Sequence, residues 1–280
     1  MIAAIGKFDA LHRGHRALVE AARALGEPAL VSFSGMAEVL GWEPRLPLIA
    51  AEDRSEVLAA WRTKEVIIPF ADIRGLDGPG FLRRLRKEGC SGLVVGEDFR
   101  FGRDRAWSAK DLPELAQSED MSLRIVPAVA DAGGVVSSTR VREALDRGQV
   151  DVIQRLLDRP YRLRGTVVRG DGRGRRIGIP TANLAWVNQP VGGGVYAAWA
   201  WLDGRRLAAA VNAGSVPTAG AGRSFTVEAH LLDWSGDIYG ASLALDLLQR
   251  LREERRFPDL EALVAQIRAD IAATREVCRP

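Results

Sequence analysis

Along the first 158 residues, short apolar runs alternate with stretches whose apolar positions fall three and four apart. The runs are Ile2–Ile5, Ala29–Phe33, Val66–Ile68, Leu93–Val95 and Arg124–Val129. After the first, Leu18, Ala21, Ala22 and Leu25 recur at i, i+3, i+4 and i+7, one face of a helix. Glu52–Trp61, Pro79–Glu88 and Thr139–Arg147 carry further helical patterns. Apolar strands separated by helices predict an α/β domain with a mostly parallel sheet. A last helix, Val150–Leu157, stops ahead of Pro160.

Beyond that proline the period changes. Arg162–Arg169, Gly194–Leu202, Leu207–Asn212, Phe225–Trp234 and Ala241–Leu248 predict strands. Val195, Ala197, Trp199 and Trp201 share one strand face, and Asp203-Gly204 predicts a hairpin turn. The pattern is that of a small all-β barrel closed by one helix. In that helix Leu260, Leu263, Val264, Ile267 and Ile271 form the expected core stripe. The expected domains are residues 1–158 and 159–280.

Composition narrows the class. Of 280 residues 47% are hydrophobic and 27% charged, the balance of a soluble globular protein. No apolar run approaches the roughly 20 residues that a membrane-spanning helix needs. The N-terminus lacks the charged segment and cleavage pattern of a secretory signal. The two cysteines, Cys90 and Cys278, are far apart and predict free thiols in a reducing cytoplasm, with no structural zinc site. A net charge of +3 admits anionic small molecules and argues against a dedicated nucleic-acid binder.

Two of the three histidines, His12 and His15, flank Gly14 in the turn Gly6-Lys7-Phe8-Asp9-Ala10-Leu11-His12-Arg13-Gly14-His15 after the first strand. Ligands in parallel sheets bind beyond the carboxyl ends of the strands, and a helix N-terminus offers unpaired N–H groups and a positive dipole end. Gly14 lets backbone approach a ligand, and the imidazoles add donors for a phosphate. The plain alternative is a pair of surface histidines on a helix cap. Ser137-Ser138-Thr139-Arg140-Val141-Arg142 opens another helix with three hydroxyls and two guanidiniums, a second candidate phosphate cradle.

These motifs resemble the nucleotidylyltransferase superfamily, whose domain is Rossmann-like. More closely, they resemble the FAD synthetase half of the bacterial bifunctional riboflavin kinase/FAD synthetase family. Val95-Gly96-Glu97-Asp98-Phe99-Arg100-Phe101-Gly102 matches that family's run near its flavin site. The resemblance implies transfer of an adenylyl group from ATP to FMN. It makes His12 and His15 catalytic and gives the nucleotide to Gly6, Lys7, Phe8, Gly14, Ser137, Ser138, Thr139 and Arg142. Asp98 and Phe99 would meet the flavin, and Asp9 would have a structural or metal-related role. The FMN phosphate is already anionic, so this reaction needs positioning and cationic donors rather than a strong base. The chain departs from the family in having Lys7 for Asn, Ala10 for Gly, and Phe33-Ser34-Gly35-Met36-Ala37 where the family has Phe-x-Pro-His-Pro.

In the second half, residues 170–183 run Gly-Asp-Gly-Arg-Gly-Arg-Arg-Ile-Gly-Ile-Pro-Thr-Ala-Asn. Read alone, the glycine/arginine loop fits phosphate binding, RNA binding or a plain connection between strands. Its corner, Gly178 to Asn183, resembles the riboflavin kinase motif. So do Asn212-Ala213-Gly214-Ser215-Val216-Pro217-Thr218, Thr226-Val227-Glu228-Ala229-His230, Ile238-Tyr239-Gly240 and Leu251-Arg252-Glu253-Glu254-Arg255-Arg256-Phe257. The resemblance implies that Thr181 and Asn183 hold Mg·ATP as oxygen ligands of magnesium, with Gly170, Gly174 and Gly178 on the nucleotide. Glu228 would be the general base for a neutral ribityl hydroxyl. Arg252, Glu253 and Phe257 would contact flavin, and His230 would be a supporting polar residue.

Together the motifs predict a bifunctional enzyme whose substrates are ATP, riboflavin and FMN. The departures leave two other readings open: loss of one activity, with the adenylyl site the one lost, or a non-catalytic flavin-binding regulator. The arginines at 162, 164, 169, 173, 175 and 176 motivate an RNA-binding version.

Overall fold

The structure is a computed structural model that describes residues 1–170, 172–217 and 223–279. The side chains of Arg173, Arg176, Val216, Pro217 and Arg223 are also outside the description. Asp171 and Thr218 of the motifs above lie outside it too. The chain divides into two compact units, residues 1–45 with 51–137, and residues 46–50 with 138–280.

In the first unit five strands pair in parallel: β1 (Ile2–Ile5), β2 (Pro28–Ser34), β3 (Lys64–Pro69), β4 (Gly92–Gly96) and β5 (Ser122–Val126). Their spatial order is β3-β2-β1-β4-β5. The helices are α1 (Arg13–Arg23), α2 (Met36–Leu40), α3 (Ala51–Ala60), which starts in the residues just after 46–50, α4 (Gly78–Lys87) and α5 (Leu112–Ser118). β1 is buried at every position, as a central parallel strand covered on both faces must be. The core joins Ile5, Val31, Ile68 and Val95 to Phe81, Leu82 and Leu85 of α4. After β3 the chain crosses to the other side of β1 to form β4. The reversal of strand order between β1 and β4 opens a crevice at their carboxyl ends, where ligands bind in such sheets.

The second unit begins its main run with α6 (Ser138–Asp146) and α7 (Val150–Leu157). Six antiparallel strands follow: β6 (Tyr161–Val168), β7 (Ala182–Trp186), β8 (Gly194–Leu202), β9 (Arg205–Pro217), β10 (Arg223–Leu231) and β11 (Ser242–Arg252). They close a barrel in the order β6-β7-β10-β9-β8-β11. Closure pairs every strand on both sides and removes sheet edges. Buried Asn188 ties the barrel internally: its Oδ1 accepts from Arg164 N–H at 2.9 Å, and its amide donates to the Tyr161 hydroxyl at 3.0 Å and the Arg162 carbonyl at 2.9 Å. α8 (Leu260–Val277) completes the chain, capped by Asp259.

Two expectations need correction. The stripe on α8 is not a buried core face, because Leu260 is 59% exposed and Leu263, Val264, Ile267 and Ile271 are only half-buried. The buried positions of α8 are Asp270 and Thr274, since Asp270 receives Arg252 from β11 and Thr274 donates to the Asp270 carbonyl. The strand expected at 124–129 lies at 122–126.

Candidate active sites

The turn after β1 is held by buried anchors. Phe8 and Leu11 adopt φ of 45° and 47°, unusual for bulky residues, and both are fully buried. Such strain persists only where the surroundings fix it. One fixture is Arg54 of α3, which donates to the Phe8 carbonyl at 2.7 Å and to Glu65 on β3 at 2.8 Å through Nε. Ser32 on β2 donates to the same carboxylate at 2.6 Å. Burial would raise the Glu65 pKa, but the bonds from Arg54 and Ser32 outweigh it and hold the carboxyl below its ordinary value.

His12 caps α1. Its Nδ1 accepts from His15 N–H, and His15 Nδ1 accepts from His12 N–H, both at 3.3 Å. This is a reciprocal capping box made by two imidazoles. The rings stack with centroids 3.6 Å apart, and the Phe8 ring meets His15 edge-on at 4.8 Å. Because each Nδ1 is an acceptor, each neutral ring carries its proton on Nε2 and can donate from there. Gly14 fits the cap closely: a Cβ would stand 3.1 Å from the His12 ring.

Gly6, Lys7, Phe8, His12, Gly14 and His15 thus follow β1, while Asp98 and Phe99 follow β4. The topology brings both groups to the crevice end of the sheet. Asp98 is exposed; Phe99 is half-buried and stacks on Phe101 with centroids 5.5 Å apart. Exposed Lys7 lies over the Trp42 ring at 5.1 Å. Trp42 follows α2, which begins at the end of the segment that departs from the resembled family and is bounded by left-handed Gly35 and Gly41. Ser137 ends the first unit. Ser138, Thr139 and Arg142 begin the second, where Arg142 Nη1 donates to the Leu46 carbonyl at 3.1 Å and to Gln189 Oε1 at 3.2 Å.

In the barrel, β7 pairs with β10 through Ala182–Ala229 and Asn183–Glu228. Thr181, just before β7, donates from its hydroxyl to Glu228 Oε2 at 2.9 Å. That uses the hydroxyl proton and leaves the oxygen lone pairs for a cation. The glycine loop folds against this corner. A Cβ on Gly170 would come within 2.2 Å of the Asn183 amide, and one on Gly174 within 2.3 Å of the Ile179 carbonyl. Gly178 is left-handed, with φ of 77°. A pocket beside the corner is lined by Arg175, Pro180, Thr181, Leu231, Trp234 and Tyr239.

Among the described residues no group of three His, Cys, Asp or Glu side chains could hold a metal ion. The donor set at the corner is instead a hydroxyl and an amide oxygen, hard ligands suited to a divalent cation that arrives on a nucleotide. Arg252 makes a bidentate pair with buried Asp270, with Nη2–Oδ2 at 2.8 Å, and lies 5.6 Å from the Phe257 ring centre. Arg54, Glu65, Ser32 and the pocket-lining Trp234 and Tyr239 were not singled out as site residues from sequence. Of these, Tyr239 alone stood in a run that resembles the family, Ile238-Tyr239-Gly240.

The family model for FAD synthetase matches residues 1–140, and that for riboflavin kinase matches residues 157–278. A bifunctional riboflavin kinase/FMN adenylyltransferase of Pseudomonas fluorescens is 34% identical, covering 100% of this chain and 93% of its own. The chain belongs to the bifunctional riboflavin kinase/FMN adenylyltransferase family. The family member of Escherichia coli K12 is 33% identical over 97% of this chain and 91% of its own. FAD synthetase 1 of Arabidopsis thaliana, a chloroplastic protein, is 38% identical over 72% of this chain and 64% of its own. A solved chain described as a macrolide-efflux protein of Streptococcus pneumoniae superposes with a TM-score of 0.87 at 29% identity, covering 98% of this chain and 93% of that one. No described helix of this family member is long and apolar enough to cross a membrane.

Proposed function

We propose that the protein makes FMN and then FAD, with the first step in residues 159–280 and the second in residues 1–158. The hydrogen bond from Thr181 to Glu228 carries the first assignment, because it sets a proton acceptor beside an oxygen suited to Mg·ATP. Glu228 takes the proton of the ribityl hydroxyl, whose oxygen attacks the γ-phosphorus of ATP as ADP leaves. Thr181 and Asn183 hold magnesium, which when bound neutralises charge on the phosphates. Gly170, Gly174 and Gly178 bring backbone to the nucleotide, and Arg252 and Phe257 border the flavin.

In the other reaction an FMN phosphate oxygen attacks the α-phosphorus of ATP and pyrophosphate leaves. His12 and His15 donate from Nε2 to the phosphate as charge gathers. Gly6, Lys7, Phe8 and Gly14, with Ser137, Ser138, Thr139 and Arg142, bind the nucleotide, and Asp98 and Phe99 meet the flavin. The working place is the cytoplasm, where both reactions use Mg·ATP.

Product chromatography tests this reading. Purified protein given Mg·ATP and riboflavin should yield FMN and then FAD, and FAD directly when given FMN. No FMN from riboflavin would refute the kinase assignment. FMN without FAD would refute the adenylyl assignment.

A further inference from the structure

On β10, Glu228 and His230 stand two residues apart and therefore on one face of the strand. Both reach the same corner. Glu228 accepts from the Thr181 hydroxyl at 2.9 Å, and His230 Nδ1 lies 2.7 Å from the Pro180 carbonyl oxygen. The backbone pairing of β7 with β10 runs only from Ala182–Ala229 onward. Pro180 has no N–H with which to continue the ladder. Two side chains of one strand face therefore take over where the backbone bonds stop, one on Pro180 and the next on Thr181. On the other side the corner is joined to a glycine loop with left-handed Gly172 and Gly178, a poor source of rigidity.

We propose that His230 is a positioning residue of the kinase site: its bond to the Pro180 carbonyl sets the Thr181 hydroxyl at the place where Mg·ATP is bound. The inference rests on the kinase reading above. A carbonyl only accepts, so Nδ1 must carry a proton in this contact. The bond survives whether the ring is neutral or protonated, and Nδ1 is not available as a base. His230 acts on nucleotide binding through Thr181 and leaves proton removal to Glu228.

The test compares His230→Leu with His230→Asn, whose amide nitrogen can donate from about the place of Nδ1. For His230→Leu the KM for Mg·ATP in FMN formation should rise about three- to tenfold, the usual net scale of one lost hydrogen bond. The KM for riboflavin should stay within about twofold, and the shape of the kcat–pH profile should not change. Amide hydrogen exchange in peptides covering Thr181 should be faster than in the parent. His230→Asn should recover most of the Mg·ATP affinity and the slow exchange. FAD formation from supplied FMN should be unchanged in both variants, which also reports that the chain is intact.

An unchanged Mg·ATP KM in His230→Leu would overturn the proposal. So would a His230→Asn variant as impaired as His230→Leu, because the ring rather than the donor would then matter. Loss of one limb of the pH profile would make His230 an acid or base instead. A parent protein that makes no FMN would remove the kinase reading itself. A parent that does, with variants that behave alike, would remove the role of His230 alone.

Discussion

At the end of β1, two imidazoles use their Nδ1 atoms to cap a helix and carry their protons on Nε2. On β10, a carboxylate receives the hydroxyl of a threonine beside a glycine loop. In the function proposed above, the two sites would handle phosphates with opposite equipment, donors in one and a proton acceptor in the other. The nucleophiles account for the contrast. A phosphate oxygen already carries charge and needs only a partner for the charge that develops, whereas a ribityl hydroxyl must lose a proton. The rigidity also differs. The histidine turn is held by strained, buried residues and the Arg54–Glu65 pair, while the glycine loop makes room by close backbone contact.

The largest effect expected is on FMN formation in Glu228→Gln, where kcat should fall by about 10²- to 10⁴-fold, the usual contribution of a general base. Next comes His15→Ala, which removes a donor and half of the helix cap. FAD formation should drop about 10²-fold with FMN formation intact, the scale of one lost charge-stabilising donor. Equal loss of both products in a folded His15→Ala protein would erase the contrast. Gly174→Ala is a milder probe, because the added methyl meets the Ile179 carbonyl and must shift the loop. Its KM for Mg·ATP in FMN formation should rise several-fold while the KM for ATP in FAD formation stays put; steady-state kinetics with each flavin would show the split.

The smallest effect concerns pH. The carboxyl of Glu65 is held below its ordinary value of 4.5 in the fold. Its stabilisation is therefore complete above that value and is lost as pH falls through the lower, folded pKa. Between about pH 5 and pH 3 the parent should lose thermal stability more steeply than Glu65→Gln, read by melting curves across that window. Parallel curves would mean that the Arg54–Glu65 pair does not brace the histidine turn.

Much of this organisation was legible because it is local. The β1 run, most of the α1 face, Val150–Leu157 and Gly194–Leu202 depend on spacing within one element, although Leu25 of that face lies past the end of α1 and is exposed. β7 escaped notice because Pro180 and Asn183 read as a corner rather than as a strand beginning at Ala182. α2 was hidden between two turn-forming glycines, and the α8 stripe misled because spacing reveals a face but not how fully it is covered, here only to half-burial for all but Leu260. The motifs at His12–His15 and Thr181–Glu228 stood out by residue type. The Arg54–Glu65–Ser32 brace did not, since those residues meet only once β1, β2 and β3 take their places in the sheet.

The most direct test is the flavin product pattern of Glu228→Gln beside that of the parent, with Mg·ATP and either riboflavin or FMN. The account predicts that the variant makes almost no FMN from riboflavin yet converts supplied FMN to FAD at the parent's rate. If the folded variant phosphorylated riboflavin normally, or lost both conversions together, the assignment of separate chemistries to residues 1–158 and 159–280 would be contradicted.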